Sequence, residues 1–129
     1  MKIDSQIWFE QAEEHYRDAE FCLNGARYGL SLYSYHQALE KIFKAAIVEF
    51  THKIPPKSHQ LDFLLKETGL TVDNLNWFEE LAIITQHFWR VRYPDIRLTK
   101  TYSSKEKIEQ IVINFQKIYL WVKNKLINI

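Results

Sequence analysis

From Ser103 to the C-terminus one apolar stripe runs without a break: Ile108, Ile111, Val112, Phe115, Ile118, Tyr119, Val122 and Leu126 recur every three or four residues. That spacing places all eight on one face of a helix, and such a face has to be buried against other elements. No stretch of the chain alternates apolar and polar residues long enough to propose a strand, so the partners are expected to be helices. Ser103 and Glu106 stand at the S-x-x-E spacing of a capping box, which sets the start of this last helix.

Three glycines and three prolines punctuate the 129 residues, and they divide the rest into four more helical segments. The first is expected from about Ser5 to Asn24, with Trp8, Ala12, Tyr16, Ala19 and Leu23 at helical spacing and Gly25 as its stop. The second is expected from about Gly29 to His52, with Leu32, Tyr35, Leu39, Ile42, Phe43, Ala46 and Phe50 on one stripe and Pro55 and Pro56 beyond its end. A short third helix opens at Ser58 as N-cap and runs through Lys66 to Gly69. A fourth opens at Asp73, carries Leu75, Phe78, Ala82, Thr85 and Trp89, and ends before Pro94. The expected fold is therefore all-α, an antiparallel up-and-down bundle of about five helices in one domain spanning residues 1–129.

With 47% hydrophobic and 26% charged residues, the chain is too apolar for disorder and too polar for a membrane protein. No segment approaches the roughly 20 apolar residues of a membrane span, and the N-terminus lacks the apolar core of a signal peptide. The single Cys22 offers neither a disulfide partner nor a CxxC ligand pair, so a cytoplasmic setting is expected. A net charge of +1 hides an imbalance: residues 88–129 hold 9 Lys/Arg against 3 Asp/Glu, and residues 1–87 hold 8 against 13. Such an imbalance makes either a basic face suited to phosphate or an acidic partner, or a set of opposite charges folded against each other.

Known catalytic signatures are missing: no Gly-rich phosphate loop, no G-x-S-x-G elbow, no H-E-x-x-H. The five histidines include no i, i+3 or i, i+4 pair, and no metal or cofactor is expected. His36, Glu40 and Lys44 form a row at spacings of four on the second helix. One reading is a border, with His36 half-buried, Lys44 further toward solvent and a Glu40–Lys44 pair worth about 0.2–0.5 kcal/mol; the other is a binding edge. His59, in the first turn of the third helix, is expected to serve as a hydrogen-bonding packing residue. His87 and Arg90, three apart, share a face of the fourth helix. The longest stretch without helical periodicity, Arg92 to Ser104, sets Arg90, Arg92, Arg97 and Lys100 beside Tyr93 and Tyr102, cations and aromatics suited to phosphate and base contacts. Ile113 and Leu120 lie opposite the apolar stripe of the last helix, as a dimer or partner surface or under the third helix or the loop of residues 91–102.

The segments "YHQALEKIFKA", "PPKSHQLDFLL" and "RYPD" resemble, in order and spacing, the HEPN (higher eukaryote and prokaryote nucleotide-binding) domain family. Gln37, Ala38, Glu40, Lys41, Lys44, Ala45, His59, Leu61, Leu64, Leu65, Arg92, Tyr93 and Pro94 match its pattern, over nearly the whole chain. The resemblance implies a helical bundle, commonly a homodimer, often acting with a minimal nucleotidyltransferase protein. It implies nucleotide or RNA as ligand, with His36, Glu40, Lys44, His59, Arg90, Arg92 and Tyr93 as candidate contacts and no membrane. Some family members cleave RNA without metal, through an Arg followed after four to six residues by His. Here the positions counted from Arg90 are Asp95, Ile96 and Arg97, and from Arg92 they are Arg97, Leu98 and Thr99, so that motif is absent. A non-catalytic binding module is the expectation, with a divergent HEPN ribonuclease or toxin as the alternative.

Overall fold

The computed structural model describes residues 1–92 and 105–128, and these form five helices. They are α1 (Ile3–Asn24), α2 (Tyr28–Thr51), α3 (Leu61–Glu67), α4 (Asn76–Arg92) and α5 (Lys105–Ile127). The all-α bundle inferred from the stripes is the observed architecture. Among the described residues no helix is long and apolar enough to cross a membrane.

The organising element is α2, which packs against each of the other four helices. From Tyr35 to Ile47 all its residues are buried except Gln37 and Lys41, which are half-buried, so this stretch has no solvent face. The α1–α2 hairpin is antiparallel: the backbone N–H of Lys2 donates to Glu49 Oε1 at 2.9 Å, and the Ser31 hydroxyl donates to the Ala19 carbonyl at 2.9 Å. Small Ala12, Ala19, Ala38, Ala45 and Ala46, all fully buried, let helices approach closely.

Helix α5 closes the bundle with the stripe read from the sequence; seven of its eight residues are buried and Ile111 is half-buried. Its aromatic residues meet those of α1 and α2: Tyr16 stacks on Tyr119 (4.4 Å between ring centroids) and meets Tyr35 edge-on (5.5 Å), while Tyr35 stacks on Phe115 (5.8 Å). The Tyr35 hydroxyl accepts from Gln116 Nε2 at 3.1 Å, and Lys123 pairs with Glu13 at 2.6 Å. Along α5 the partners on α1 descend from Tyr16 to Glu13, so these two helices are antiparallel. Ile113 and Leu120 are each 45% exposed, so no described part of the chain covers them fully.

Two helix starts differ from expectation. Helix α3 begins at Leu61, not after Ser58, because Ser58 Oγ accepts from the Gln60 N–H at 3.1 Å and holds a turn before the helix. Helix α4 begins at Asn76, where Asn74 Oδ1 accepts the Asn76 N–H at 3.1 Å, and Leu75 is left 73% exposed. The buried residues of α4 include Leu81 and Ile84, one position off the expected stripe, with Thr85 the shared member. Ser103 of the expected capping box lies outside the described residues.

Gly25 does stop α1, donating its N–H to the Phe21 carbonyl at 3.1 Å, but the left-handed residue of the turn is Ala26, at φ 59°. A Cβ in that conformation is strained. Ala26→Gly is therefore expected to raise stability by about 0.5–1 kcal/mol, after allowing for the glycine's greater freedom in the unfolded chain. Thermal and urea denaturation measure this directly.

Candidate functional site

The polar row of α2 is neither a solvated border nor an exposed edge. His36 and Glu40 are each 1% exposed and Lys44 is 6% exposed, because α2 is central and its would-be border is covered. A projection that grants every helix one wet face misplaces such residues. Nor does Glu40 pair with Lys44. Its Oε1 is hydrogen-bonded by Nδ1 of His59, and its Oε2 lies 3.7 Å from Lys41 Nζ.

His59 precedes α3 and does not stand in its first turn. From there its ring, 44% exposed, reaches in from the surface onto a carboxylate that is itself buried. It is a hydrogen-bonding residue as expected, but with an acidic partner nineteen positions away in sequence. A buried carboxylate without partners carries a large desolvation cost, so His59 and Lys41 are what make Glu40 tenable at this depth. His36 sits one turn before Glu40. Burial pushes its pKa down from 6.5 to about 3, with the neighbouring His59 imidazole lowering it further and a backbone hydrogen bond to His59 opposing the shift. His36 is thus a neutral imidazole at physiological pH.

The same segment is fastened to α4. The Leu61 N–H, first of the helical donors of α3, donates to Thr85 Oγ1 at 3.1 Å, while the Thr85 hydroxyl donates to the Leu81 carbonyl at 3.0 Å. Thr85 therefore caps α3 from another helix, a role for which its place in the apolar stripe gave no signal. Thr85→Val keeps the shape and leaves the buried Leu61 N–H without an acceptor; a loss of about 1–2 kcal/mol is expected in urea denaturation, with the helical content unchanged.

Arg92 lies seven residues after Thr85 on α4, roughly 10 Å further along the helix axis at 1.5 Å per residue. Arg90 and Arg92 enter here as backbone positions. Their side chains, and the whole of Tyr93, lie outside the described residues, as do Arg97, Lys100 and Tyr102.

Lys44 opens elsewhere. Its Nζ lies 5.5 Å from the centroid of the Trp8 ring on α1, over which Lys41 Nζ also stands at 5.2 Å. With Trp8 it lines a groove of about 570 Å³ between the N-terminal part of α1, the C-terminal part of α2 and the segment from His52 to Lys57. Burial pushes the Lys44 pKa down, Glu40 pulls it up and Lys41 pushes it down again. The lysines that share this groove, Lys2, Lys53 and Lys57, escaped sequence reasoning because Lys2 is remote from the other two in the chain and all three lie in its net-acidic part.

Among the described residues no group of three or more His, Cys, Asp or Glu side chains could hold a metal ion. What the Glu40–His59 pair offers chemically is an imidazole whose orientation is fixed by a buried carboxylate, presented at the surface next to the helix that carries two arginines.

A family model, the HEPN domain, matches residues 5–125. Among solved structures, the chain is similar to TT1696 from Thermus thermophilus, with 23% identity and a TM-score of 0.77 over 94% of this chain and 97% of that one. It is also similar to ST0689, an archaeal HEPN homologue, with 22% identity and a TM-score of 0.70 over 97% and 98% of the two chains. No curated protein matches. The two structures share the fold, and the family match covers nearly the whole bundle, including the Glu40–His59 junction: the chain belongs to the HEPN domain family.

Proposed function

We propose that this chain is a non-catalytic HEPN module that recognises a nucleotide, forms a homodimer and works beside a minimal nucleotidyltransferase partner. The observation that carries the reading is the junction at His59 to Leu61, where the Glu40 carboxylate of α2 and the Thr85 hydroxyl of α4 hold adjacent points of one short segment. That junction links Glu40 of α2, through the segment before α3, to the helix whose sequence ends in Arg90 and Arg92. In this reading the two arginines contact phosphates and Tyr93 offers a stacking face. His59, oriented by Glu40, meets a sugar or base edge, and His36 supports the pair from beneath. Ile113 and Leu120 supply an apolar strip for the second copy.

Isothermal titration with nucleoside triphosphates, on the protein alone and mixed with a nucleotidyltransferase encoded beside it, tests the ligand half. Saturable binding that is lost in Arg92→Ala is expected, and no heat in either mixture removes it. Sedimentation of Ile113→Glu/Leu120→Glu, expected to be monomeric, tests the dimer half.

One observation favours a second reading. A carboxylate on Nδ1 of a partly exposed histidine is the arrangement that orients an imidazole for proton transfer. With Arg92 or Arg97 on the phosphate, His59 would then serve a divergent metal-independent ribonuclease, or toxin, despite the missing Arg-x4-6-His motif. Single-stranded RNA left intact by the purified protein counts against this. Cleavage abolished by both His59→Ala and Arg92→Ala, in folded proteins, would replace the first reading.

A further inference from the structure

The groove beside Trp8 is a second place where the fold concentrates charge, and it does so independently of the junction at His59: among the described residues none from α4 lines it. Lys2, Lys44, Lys53 and Lys57 face it against the single carboxylate of Asp4. Lys44 is the informative member. It is 94% buried, at 6% exposure, yet no carboxylate of the described residues pairs with it and no hydrogen-bond acceptor meets its ammonium; the face of Trp8 and the more distant charge of Glu40 are its compensation. The Lys44 stem is buried while its ammonium opens into a groove of about 570 Å³ with no acceptor among the described residues, which leaves its donors free to meet an anion there.

We propose that this groove is an anion site for the oligophosphate chain of a small molecule. Three features select that class. The cations are all lysines, compact point charges suited to the spread oxygens of phosphates, and the groove has no guanidinium for planar, bidentate carboxylate recognition. Their excess over Asp4 suits a multiply charged anion better than a single carboxylate. The volume falls within the range of about 300–1,000 Å³ typical of small-ligand sites, and the apolar walls, Trp8, Pro55 and Pro56 among them, can cover an organic group attached to the phosphates. The groove is separate from the nucleotide site proposed above, being built from other residues.

The test is isothermal titration of the full chain at low salt with inorganic tripolyphosphate, and separately with ATP. Saturable tripolyphosphate binding is expected. Lys44→Met, and independently the surface pair Lys53→Gln/Lys57→Gln, which leaves the core untouched, should each weaken it about tenfold or more. The control pair Lys105→Gln/Lys117→Gln, on exposed α5 positions, should leave it unchanged. No tripolyphosphate binding, or equal weakening by the control pair, overturns the proposal. Tripolyphosphate binding that depends on Lys44, with ATP binding lost in the same lysine variants and unchanged in Arg92→Ala, keeps the groove and removes the nucleotide reading. ATP binding that depends on Arg92 and ignores both lysine variants, with no response to tripolyphosphate, does the reverse.

Discussion

Lowering the pH from 7 to 4 is expected to cost the folded protein about 3 kcal/mol through His36 alone. In the unfolded chain this imidazole takes up a proton as the pH falls through 6.5; in the fold, burial first and the His59 ring second hold it neutral down to about 3. Between those values the unfolded state binds one more proton than the folded state, so stability declines as the pH falls, at up to about 1.4 kcal/mol per pH unit. The contribution is fully present above about 6.5 and fully lost below about 3. Other groups titrate over the same range, so the comparison is with His36→Gln, which cannot take up the proton. Urea denaturation of the two proteins at pH 7 and pH 4 should show the variant gaining about 3 kcal/mol relative to the parent on acidification. Equal acid sensitivity would mean that the His36 ring accepts its proton inside the fold.

The second large effect separates charge from packing at Glu40. His59→Ala should destabilise the protein by about 2–3 kcal/mol, since it strands a 1%-exposed carboxylate with Lys41 at 3.7 Å as its remaining neighbour. The figure sits below the roughly 3–5 kcal/mol of a fully buried broken pair because His59 is partly exposed and water can replace its ring. Glu40→Leu, which removes the buried charge and fills much the same space, should stay within about 1 kcal/mol of the parent or exceed it. In the Glu40→Leu background His59→Ala should then cost little, so the double-mutant cycle should return most of the loss as coupling. A parent clearly more stable than Glu40→Leu would assign Glu40 to holding the fold. The expected result leaves a charged residue in the core that stability does not require, which is what a recognition role demands.

How far the sequence led depends on the element. Helix α5 was legible almost to the residue, since an amphipathic helix at the edge of a bundle has one wet and one dry face and its periodicity records both. Ile113 and Leu120 fell on the exposed side as expected. The ends of α3 and α4 were not legible, because Ser58, Asn74 and Thr85 spend their side chains on turns and on a neighbouring helix. Helix α2 was legible as a helix but not in its polar residues. Being surrounded, it buries His36, Glu40 and Lys44, and their partners come from distant parts of the chain: His59 for the first two and Trp8 for the third. The resemblance to HEPN domains singled out the residues of the Glu40–His59 pair but not their contact. Charge counting pointed to the C-terminal part, while the basic groove assembled from four lysines in the net-acidic part, a grouping made only by the α1–α2 hairpin and the segment after it.

Whether the Glu40–His59 pair and the arginine-bearing end of α4 form one nucleotide site is decided by histidine-ring NMR. On titration with a nucleoside triphosphate, the ring signals of His59 should move saturably, in step with the binding heat, and should stop responding in Arg92→Ala; those of His15, on α1, should stay still. Nucleotide binding that leaves the His59 ring unmoved would place the ligand elsewhere and dissolve the single site.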